Sequence, residues 1–197
     1  MSQDDDAALL VAFQRGDEAA FRLLYERNAR AMIAFCHRFV RDAARAEELA
    51  QDVFVKLYRM AGRYRPEARF KTFLYRVATN HCLNEVRRAE FTARASGPVG
   101  GDQAPDLDAL PSNAADPHDE AVARSLELAV LALLGSLPEK QRAAFVLCRF
   151  EGLSYEEIAE TLETSVSAVK SLNHRATVSA ATALAPFGPG GGEEVRS

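Results

Sequence analysis

Apolar residues recur every three or four positions along most of this chain, and polar residues fill the positions between them. No run bounded by turn residues alternates between apolar and polar as a half-buried strand would. The pattern therefore predicts an all-α protein. We place the helices within residues 7–16, 18–28, 30–41, 43–61, 69–88, 121–137, 138–151, 154–162 and 165–182, with Asp17 as the N-cap of the second.

The helix predicted over residues 69–88 has two chemically different sides. The apolar side would pack against other helices and carries Phe70, Phe73, Leu74, Val77 and Ala78. The other side is cationic and hydrogen-bonding and would face outward, with Lys71, Thr72, Tyr75, Arg76, Thr79, Asn80, Asn84, Arg87 and Arg88. Arginine pairs with phosphate, asparagine with base edges and aromatic rings with unstacked bases, so this side suits a nucleic acid.

Two interpretations of this cationic helix stand side by side. Many exposed amphipathic helices carry arginine only to stay solvated, and an isolated window of this kind favours that explanation. The loop before the helix favours nucleic acid instead, because it adds Arg63, Arg65 and Arg69 around a tyrosine.

The helix predicted over residues 43–61 also has a mixed outer side. Its inner stripe is Ala46, Leu49, Ala50, Val53 and Leu57, and its outer stripe is Glu48, Asp52, Val55, Lys56 and Arg59. An outward valine among charges is compatible with a partner helix docking there. A solvated face with one stray valine explains the same residues equally well.

These two segments, AEELAQDVFVKLYR and then RYRPEARFKTFLYRVATNHCLNEVRR, resemble the second conserved domain of bacterial sigma factors of the small extracytoplasmic-function type. In that family the first segment binds the clamp helices of the largest RNA polymerase subunit, which implies an interface at Glu48, Gln51, Asp52, Val53, Phe54 and Leu57. The second segment captures and melts the minus-ten promoter element. The resemblance therefore implies DNA contacts by Arg63, Arg65, Arg69, Phe70, Lys71, Phe73, Tyr75, Arg76, Asn80 and Arg87.

A linker divides the chain. Residues 96–120 contain no lysine or arginine and are rich in Gly, Pro, Asp and Ala, a composition typical of flexible segments. We therefore expect two small helical domains, 1–95 and 121–185, and a disordered tail, 186–197. The linker is either an inert tether or, as the resemblance implies, a segment that threads the active-site and RNA-exit channels of the polymerase.

The second domain carries the signals of a helix-turn-helix. Ser154 to Glu157 form a capping box, in which serine and glutamate each accept a hydrogen bond from the other's backbone N–H. A short turn at Glu163-Thr164 leads to Ser165, a favourable residue at a helix start. The helix that follows is sized for a DNA major groove.

The run from LPEKQR through SYEEIA to SVSAVKSLNHRA is similar to the fourth conserved domain of the same sigma factors. There the last helix reads the minus-thirty-five element and the domain docks on the polymerase flap. The resemblance implies DNA contacts by Ser165, Ser167, Ala168, Lys170, Ser171, His174 and Arg175.

Two features of this domain depart from the family pattern. Glu163 replaces the usual glycine, which predicts either a strained left-handed residue or a different turn. Leu172 and Asn173 replace a frequent arginine and a frequent leucine. They predict either weak minus-thirty-five affinity or a register shift that buries Leu172 and exposes Asn173.

Composition and charge exclude further classes of protein. The net charge is −4, and residues 1–95 hold 17 basic against 13 acidic side chains, which argues against a protein that coats DNA by charge alone. No apolar run approaches the roughly 18 residues of a membrane helix, and the N-terminus MSQDDD is acidic where a signal peptide would be basic. We expect a cytoplasmic protein with no membrane contact.

The cysteines indicate no further chemistry. Cys36, Cys82 and Cys148 are odd in number and far apart, so no disulfide framework is predicted. The pairs Cys36-His37 and His81-Cys82 lack metal-site spacing, and buried small residues are the better interpretation. We expect no metal, no cofactor and no enzymatic activity. The alternative of a metal-dependent or cysteine enzyme is supported by these two pairs alone.

The sequence thus predicts a sigma factor of the extracytoplasmic-function type, which binds core RNA polymerase and directs it to minus-ten and minus-thirty-five promoter elements. The resemblance also implies an anti-sigma factor as a partner. The alternative is an autonomous helix-turn-helix regulator that binds duplex DNA without polymerase and uses residues 1–95 for dimerisation or sensing.

Overall fold

A computed structural model describes residues 3–66, 69–96 and 117–187 of the chain. Within these ranges every regular element is helical, which confirms the all-α prediction. The helices are α1 Gln3–Gln14, α2 Glu18–Val40, α3 Ala43–Met60, α4 Phe70–Ser96, α5 Pro117–Ser136, α6 Glu139–Arg149, α7 Tyr155–Thr161 and α8 Val166–Ala183, with 3-10 turns at Ala61–Arg63 and Ala185–Phe187.

Capping side chains set several helix starts where the sequence predicts them. The Asp17 carboxylate accepts hydrogen bonds from the N–H groups of Ala19 and Ala20, at 3.0 and 3.2 Å. Ser154 and Glu157 form the complete capping box of α7. The hydroxyl of Ser165 accepts from Ala168 N–H at 3.2 Å at the start of α8. These bonds satisfy backbone donors that the first helical turn leaves without partners.

Several boundaries differ from the sequence prediction. The helices predicted over residues 18–28 and 30–41 belong to one continuous helix, α2, because nothing at Asn28 or Ala29 breaks it. Helix α4 extends to Ser96 and α5 begins at Pro117, so the middle of the predicted linker, 97–116, lies outside the described residues. The predicted tail begins inside a 3-10 turn, and its residues 188–197 also lie outside the described part.

Helix α4 lies at the centre of the molecule. It contacts α1, α2 and α3 of the first domain, and it also contacts α6 and α7 of the second. Tyr64 in the preceding loop is buried and packs against Phe70 and Phe73, with ring centroids 6.4 and 5.3 Å apart. Gln14 ties α1 to the same loop by donating to the carbonyls of Ala61 and Tyr64. The two domains therefore share one contiguous buried cluster.

The second domain packs α6 and α7 against α8. Glu163, in the turn between α7 and α8, has φ 50°, so the left-handed alternative of the sequence analysis is confirmed. A side chain in this conformation carries a strain of about 1–2 kcal/mol. The turn is held by Thr164 N–H, which donates to the Ala159 carbonyl at 2.9 Å.

Of the two alternatives for Leu172 and Asn173, the register shift in α8 is wrong. Asn173 is buried and Leu172 is only half-buried. The reason is helical geometry, because Asn173 lies on the same stripe as the buried Val169 and Ala176. Neither polar atom of the Asn173 amide has a hydrogen-bond partner within the described protein.

Asn173→Leu is therefore expected to raise the free energy of unfolding by about 1–3 kcal/mol, because leucine has a similar shape and removes a buried unpaired amide. Urea titration followed by circular dichroism measures the change. Asn84→Leu, at an exposed position on α4, is the control and should stay within about 0.5 kcal/mol of wild type. A loss of stability on Asn173→Leu would mean that the amide is hydrogen-bonded after all.

Candidate nucleic-acid interface

The cationic side of α4 does not face outward as the sequence predicts. Thr72, Tyr75 and Thr79 are buried, and Thr72 and Tyr75 hydrogen-bond to Glu157 and Glu151 of the second domain. Phe70 and Phe73 are buried in the first domain. Asn80, Asn84, Arg87 and Arg88 remain exposed nearer the C-terminal end of the helix.

Carboxylates of the second domain pair with the cations of α4. Arg87 forms a two-bonded pair with Glu139, with N–O distances of 2.8 Å from Nε and 2.7 Å from Nη2. Arg69 lies 3.1 Å from Glu157. Arg76 lies 3.7 Å from Glu160. Three of the arginines predicted to contact DNA are thus occupied by glutamates.

Glu151, with a side chain that is 9% exposed, connects the two domains. The Tyr75 hydroxyl donates to its carboxylate, and Lys71 donates to its backbone carbonyl. Arg38 of α2 lies 3.5 Å from the same carboxylate and 4.3 Å above the Phe150 ring. Burial lowers the pKa of Arg38 and raises that of Tyr75, so the tyrosine keeps its proton and acts as a donor.

Glu157 serves both its own helix and the interface. Its carboxylate accepts from Ser154 N–H in the capping box, from Thr72 at 3.3 Å, and from Arg69. Burial acts to raise the pKa of Glu157, but the hydrogen bonds from Ser154 and the charge of Arg69 outweigh it. The pKa of Glu157 is therefore below its ordinary value, and the carboxylate stays charged.

The predicted polymerase-binding residues on α3 fall into two groups. Glu48, Gln51 and Asp52 are exposed, whereas Val53, Phe54 and Leu57 are buried in the first domain. The exposed group is available to a partner, and of the buried group Phe54 lines a surface groove. The buried group holds α3 in place.

Beside the exposed group lies an apolar groove that the sequence analysis missed. Its volume is about 570 Å³, and it lies between α2 and α3, lined by Phe21, Tyr25, Gln51, Phe54, Val55, Tyr58 and Arg59. Tyr25 is exposed, and its ring lies edge-to-face with that of Phe54, with centroids 4.8 Å apart. The outward position of Val55 in the sequence pattern indicated this surface. The side chains of Phe21 and Tyr25 on α2 complete the groove, and only helix packing brings them beside α3.

The predicted DNA-reading side of α8 is exposed. Six of its candidates are open to solvent and Ala168 is half-buried; the six are Ser165, Ser167, Lys170, Ser171, His174 and Arg175. All three serines have local partners: Ser165 caps the helix, its hydroxyl and that of Ser167 share a hydrogen bond at 3.0 Å, and Ser171 donates to the Ser167 carbonyl at 3.1 Å. Lys170 and Arg175 are the cations available for phosphate on this side.

Comparison with known proteins decides the family. Residues 24–92 match the family model described as Sigma-70 region 2, and residues 127–177 match that described as Sigma-70, region 4. The RNA polymerase sigma-H factor of Pseudomonas aeruginosa is 35% identical over 95% of this chain and 97% of its own length. The ECF RNA polymerase sigma-E factor of Haemophilus influenzae is 32% identical over 87% of this chain and 90% of its own.

The chain belongs to the extracytoplasmic-function sigma factors. Like its family, this sigma factor binds core RNA polymerase and directs promoter-specific initiation, and regulation of duplex DNA without polymerase is not favoured. Sigma factors are regulators of transcription initiation and generally not enzymes.

Solved structures share the fold of this sigma factor. CnrH, solved in complex with the cytosolic domain of CnrY, aligns with a TM-score of 0.67 at 23% identity, over 93% of this chain and 99% of its own. RpoE of Bartonella quintana, solved with the anti-sigma factor NepR, aligns with a TM-score of 0.66 at 20% identity, over 84% of this chain and 96% of its own.

Two cysteines that are distant in the sequence meet inside the sigma factor. The sulfur atoms of Cys36 on α2 and Cys82 on α4 lie 3.7 Å apart and are buried. Their hydrogen bond and the burial of the site raise the pKa of the Cys82 thiol, so it is a poor nucleophile.

Among the residues with described side chains, no three of His, Cys, Asp and Glu come together as metal ligands would. In the same part of the chain, no helix is long and apolar enough to cross a membrane.

Proposed function

We propose that this sigma factor divides promoter initiation among three surfaces. The groove between α2 and α3, with Gln51 and Asp52 beside it, binds the clamp helices of core RNA polymerase. The cationic side of α4, extended by Arg63 and Arg65, takes the separated minus-ten strand. The exposed side of α8 reads the minus-thirty-five element, and the second domain also docks on the polymerase flap.

The observation that carries this proposal is the groove itself. It brings the exposed side chains of Tyr25, Val55 and Tyr58 together in one apolar patch, and such patches mark binding surfaces. Asp52 adds a charge that is 57% exposed at the edge. An apolar centre with a polar edge is the usual anatomy of a protein interface.

The DNA surfaces are supported by chemistry. Asn80 is exposed on α4 and has an amide that can pair with a base edge, next to arginines that suit phosphate. Holding an extruded base offsets the few kcal/mol needed to unstack it. On α8, short serine side chains flank Lys170, so a major groove could approach the helix closely.

The proposal also covers a regulatory partner, the cellular location and the absence of catalysis. An anti-sigma factor binds this protein, as CnrY and NepR bind the two structural relatives. The protein works in the cytoplasm, where core RNA polymerase is found. It performs no chemistry of its own, and the polymerase forms every bond.

Transcription in vitro with purified core polymerase tests the proposal, using DNA from upstream of the protein's own gene. Wild type should give promoter-specific transcripts. Asp52→Arg should weaken core binding by at least about tenfold, since it reverses a charge at the interface edge. Asn80→Ala should bind core normally but fail to open DNA, as permanganate reactivity of unpaired thymines would report.

The control for the charge reversal is Asp5→Arg, at an exposed position on α1, which should behave as wild type. The proposal fails if wild type never associates with core polymerase and instead shifts duplex DNA by itself. That result would favour the autonomous regulator.

A further inference from the structure

A polar contact joins α4 to the side of α3 that the proposed function assigns to core polymerase. His81 of α4 lies beside two residues of α3 that are about one helical turn apart, Asp52 and Lys56. Its Nδ1 atom is 2.6 Å from Lys56 Nζ, and its Nε2 atom is 3.3 Å from Asp52 Oδ2. The helix proposed to hold the minus-ten strand is therefore bonded to a residue of the proposed polymerase interface.

The chemistry of the three groups determines where the imidazole proton lies. A lysine ammonium can only donate, so Nδ1 of His81 accepts from Lys56 and carries no proton itself. The proton of the neutral ring is therefore on Nε2, which donates to the Asp52 carboxylate. The hydrogen bonds run in one direction, from Lys56 through His81 to Asp52.

The two ends of the His81 to Asp52 bond differ in exposure. The His81 side chain is only 13% exposed, whereas the Asp52 side chain is 57% exposed. An exposed carboxylate samples several rotamers unless a bond holds it, and holding it before a partner arrives reduces the entropy lost on binding. The largely buried imidazole is therefore the fixed point that orients the exposed carboxylate.

The charged groups around His81 favour its neutral form. Burial and then the Lys56 ammonium lower the pKa of His81. The carboxylates of Asp52 and Glu85 raise it by less, so the pKa is below the ordinary value of 6.5. Glu85 lies on α4 itself and is bound by Arg45 of α3, with N–O distances of 3.0 and 2.6 Å. Above pH 6.5 the ring is therefore neutral, as both hydrogen bonds require.

We propose that His81 is a positioning residue for the binding of core RNA polymerase. It holds the Asp52 carboxylate in the orientation that the polymerase clamp helices accept, and Lys56 holds the imidazole in turn. The inference rests on the proposed role of Asp52 at that interface. It extends the polymerase-binding machinery to a residue of α4 that acts through Asp52.

The affinity of the labelled full chain for core polymerase, measured by fluorescence anisotropy above pH 6.5, tests the proposal. His81→Leu removes both hydrogen bonds and keeps a side chain of similar size. It should weaken binding roughly threefold to tenfold, as the loss of one hydrogen bond would. His81→Gln keeps an N–H group near the Nε2 position and should bind within about twofold of wild type. Urea titration establishes that both variants are folded in the assay.

The same substitution in a protein without the carboxylate separates positioning from a general structural effect. His81→Leu combined with Asp52→Ala should bind core polymerase within about twofold of Asp52→Ala alone, because His81 acts only through that carboxylate. A merely structural histidine would give an equal loss in both backgrounds. That result would overturn the positioning role, and so would a His81→Gln protein that binds as weakly as His81→Leu.

The hydrogen-bond chain itself is tested in the free protein. Nuclear magnetic resonance titration of the imidazole signals gives the pKa of His81, whose signal is identified by its loss in His81→Gln. Lys56→Met should raise this pKa, because the ammonium beside the ring lowers it. Lys140→Met, at an exposed position on α6, is the control and should leave it unchanged. An unchanged pKa in Lys56→Met would overturn the chain and the proposal with it.

The results for Asp52 distinguish failure of this inference from failure of the proposed function. If Asp52→Ala weakens core binding but His81→Leu does not, only the positioning role is lost. If both Asp52→Ala and Asp52→Arg bind core polymerase as wild type does, the proposed role of Asp52 fails, and the role of His81 fails with it.

Discussion

Val55→Arg is expected to weaken binding to core RNA polymerase by about 2–4 kcal/mol, roughly thirtyfold to a thousandfold, as for a side chain at the centre of an interface. Val55 is 47% exposed and lines the apolar groove between α2 and α3. An arginine there would have to bury its charge without a partner when a helix docks, which is costly. Co-elution of labelled protein with core polymerase, titrated by fluorescence anisotropy, measures the change.

The same substitution at a second valine provides the control. Val122 on α5 is 49% exposed, so Val122→Arg has nearly the same effect on the free protein. Both variants should keep a free energy of unfolding within about 0.5 kcal/mol of wild type, since both changes are on the surface. If Val55→Arg binds core polymerase as tightly as Val122→Arg does, the groove is not the docking surface.

Leu57→Ala is expected to lower the free energy of unfolding by about 2–5 kcal/mol, because it removes a fully buried side chain and leaves a cavity. The family resemblance places Leu57 at the polymerase interface, but its exposure is 0%. We therefore expect its role to be structural. Urea titration should show the loss, and at low temperature, where the variant is still folded, its affinity for core polymerase should remain close to wild type.

Leu23→Ala makes the same change at a leucine that is 42% exposed on α2, and it should alter stability by less than about 0.5 kcal/mol. The prediction for Leu57 is contradicted if Leu57→Ala is as stable as Leu23→Ala. It is also contradicted if folded Leu57→Ala loses core polymerase binding as Val55→Arg does. Either result would mean that α3 turns this side chain outward in the complex.

The three proposed surfaces of this sigma factor differ in how accessible they are. The groove and the α8 side are accessible, whereas the α4 side is covered by α6 and α7. Arg69, Arg76 and Arg87 pair with glutamates of the second domain in this arrangement. Two of the three proposed surfaces are therefore accessible, and the third is partly occupied.

Most of the local structure could be predicted from the sequence. The spacing of apolar residues predicts the helices, and the capping residues Asp17, Ser154 and Ser165 mark where three of them start. The motifs on α3, α4 and α8 identified the family. These features depend on neighbours within one or two helical turns, so the physics that produces them is local.

Helical periodicity also contained information that the sequence analysis did not use. Asn173 was treated as a candidate for exposure because it is polar, yet its spacing from Val169 and Ala176 places it on the inner stripe. The position in the pattern outweighed the polarity of one residue. The same rule explains why Leu57 is buried.

Which side chains of α4 are accessible was decided only by the tertiary structure. Periodicity shows that Thr72, Tyr75 and Thr79 share one side of the helix, but it cannot show what packs against that side. The pairs that cover it join residues 52 to 88 positions apart, across a linker whose composition carries no pairing information. Sequence determined the elements and their chemistry, and the packing of two domains determined which of those side chains DNA can reach.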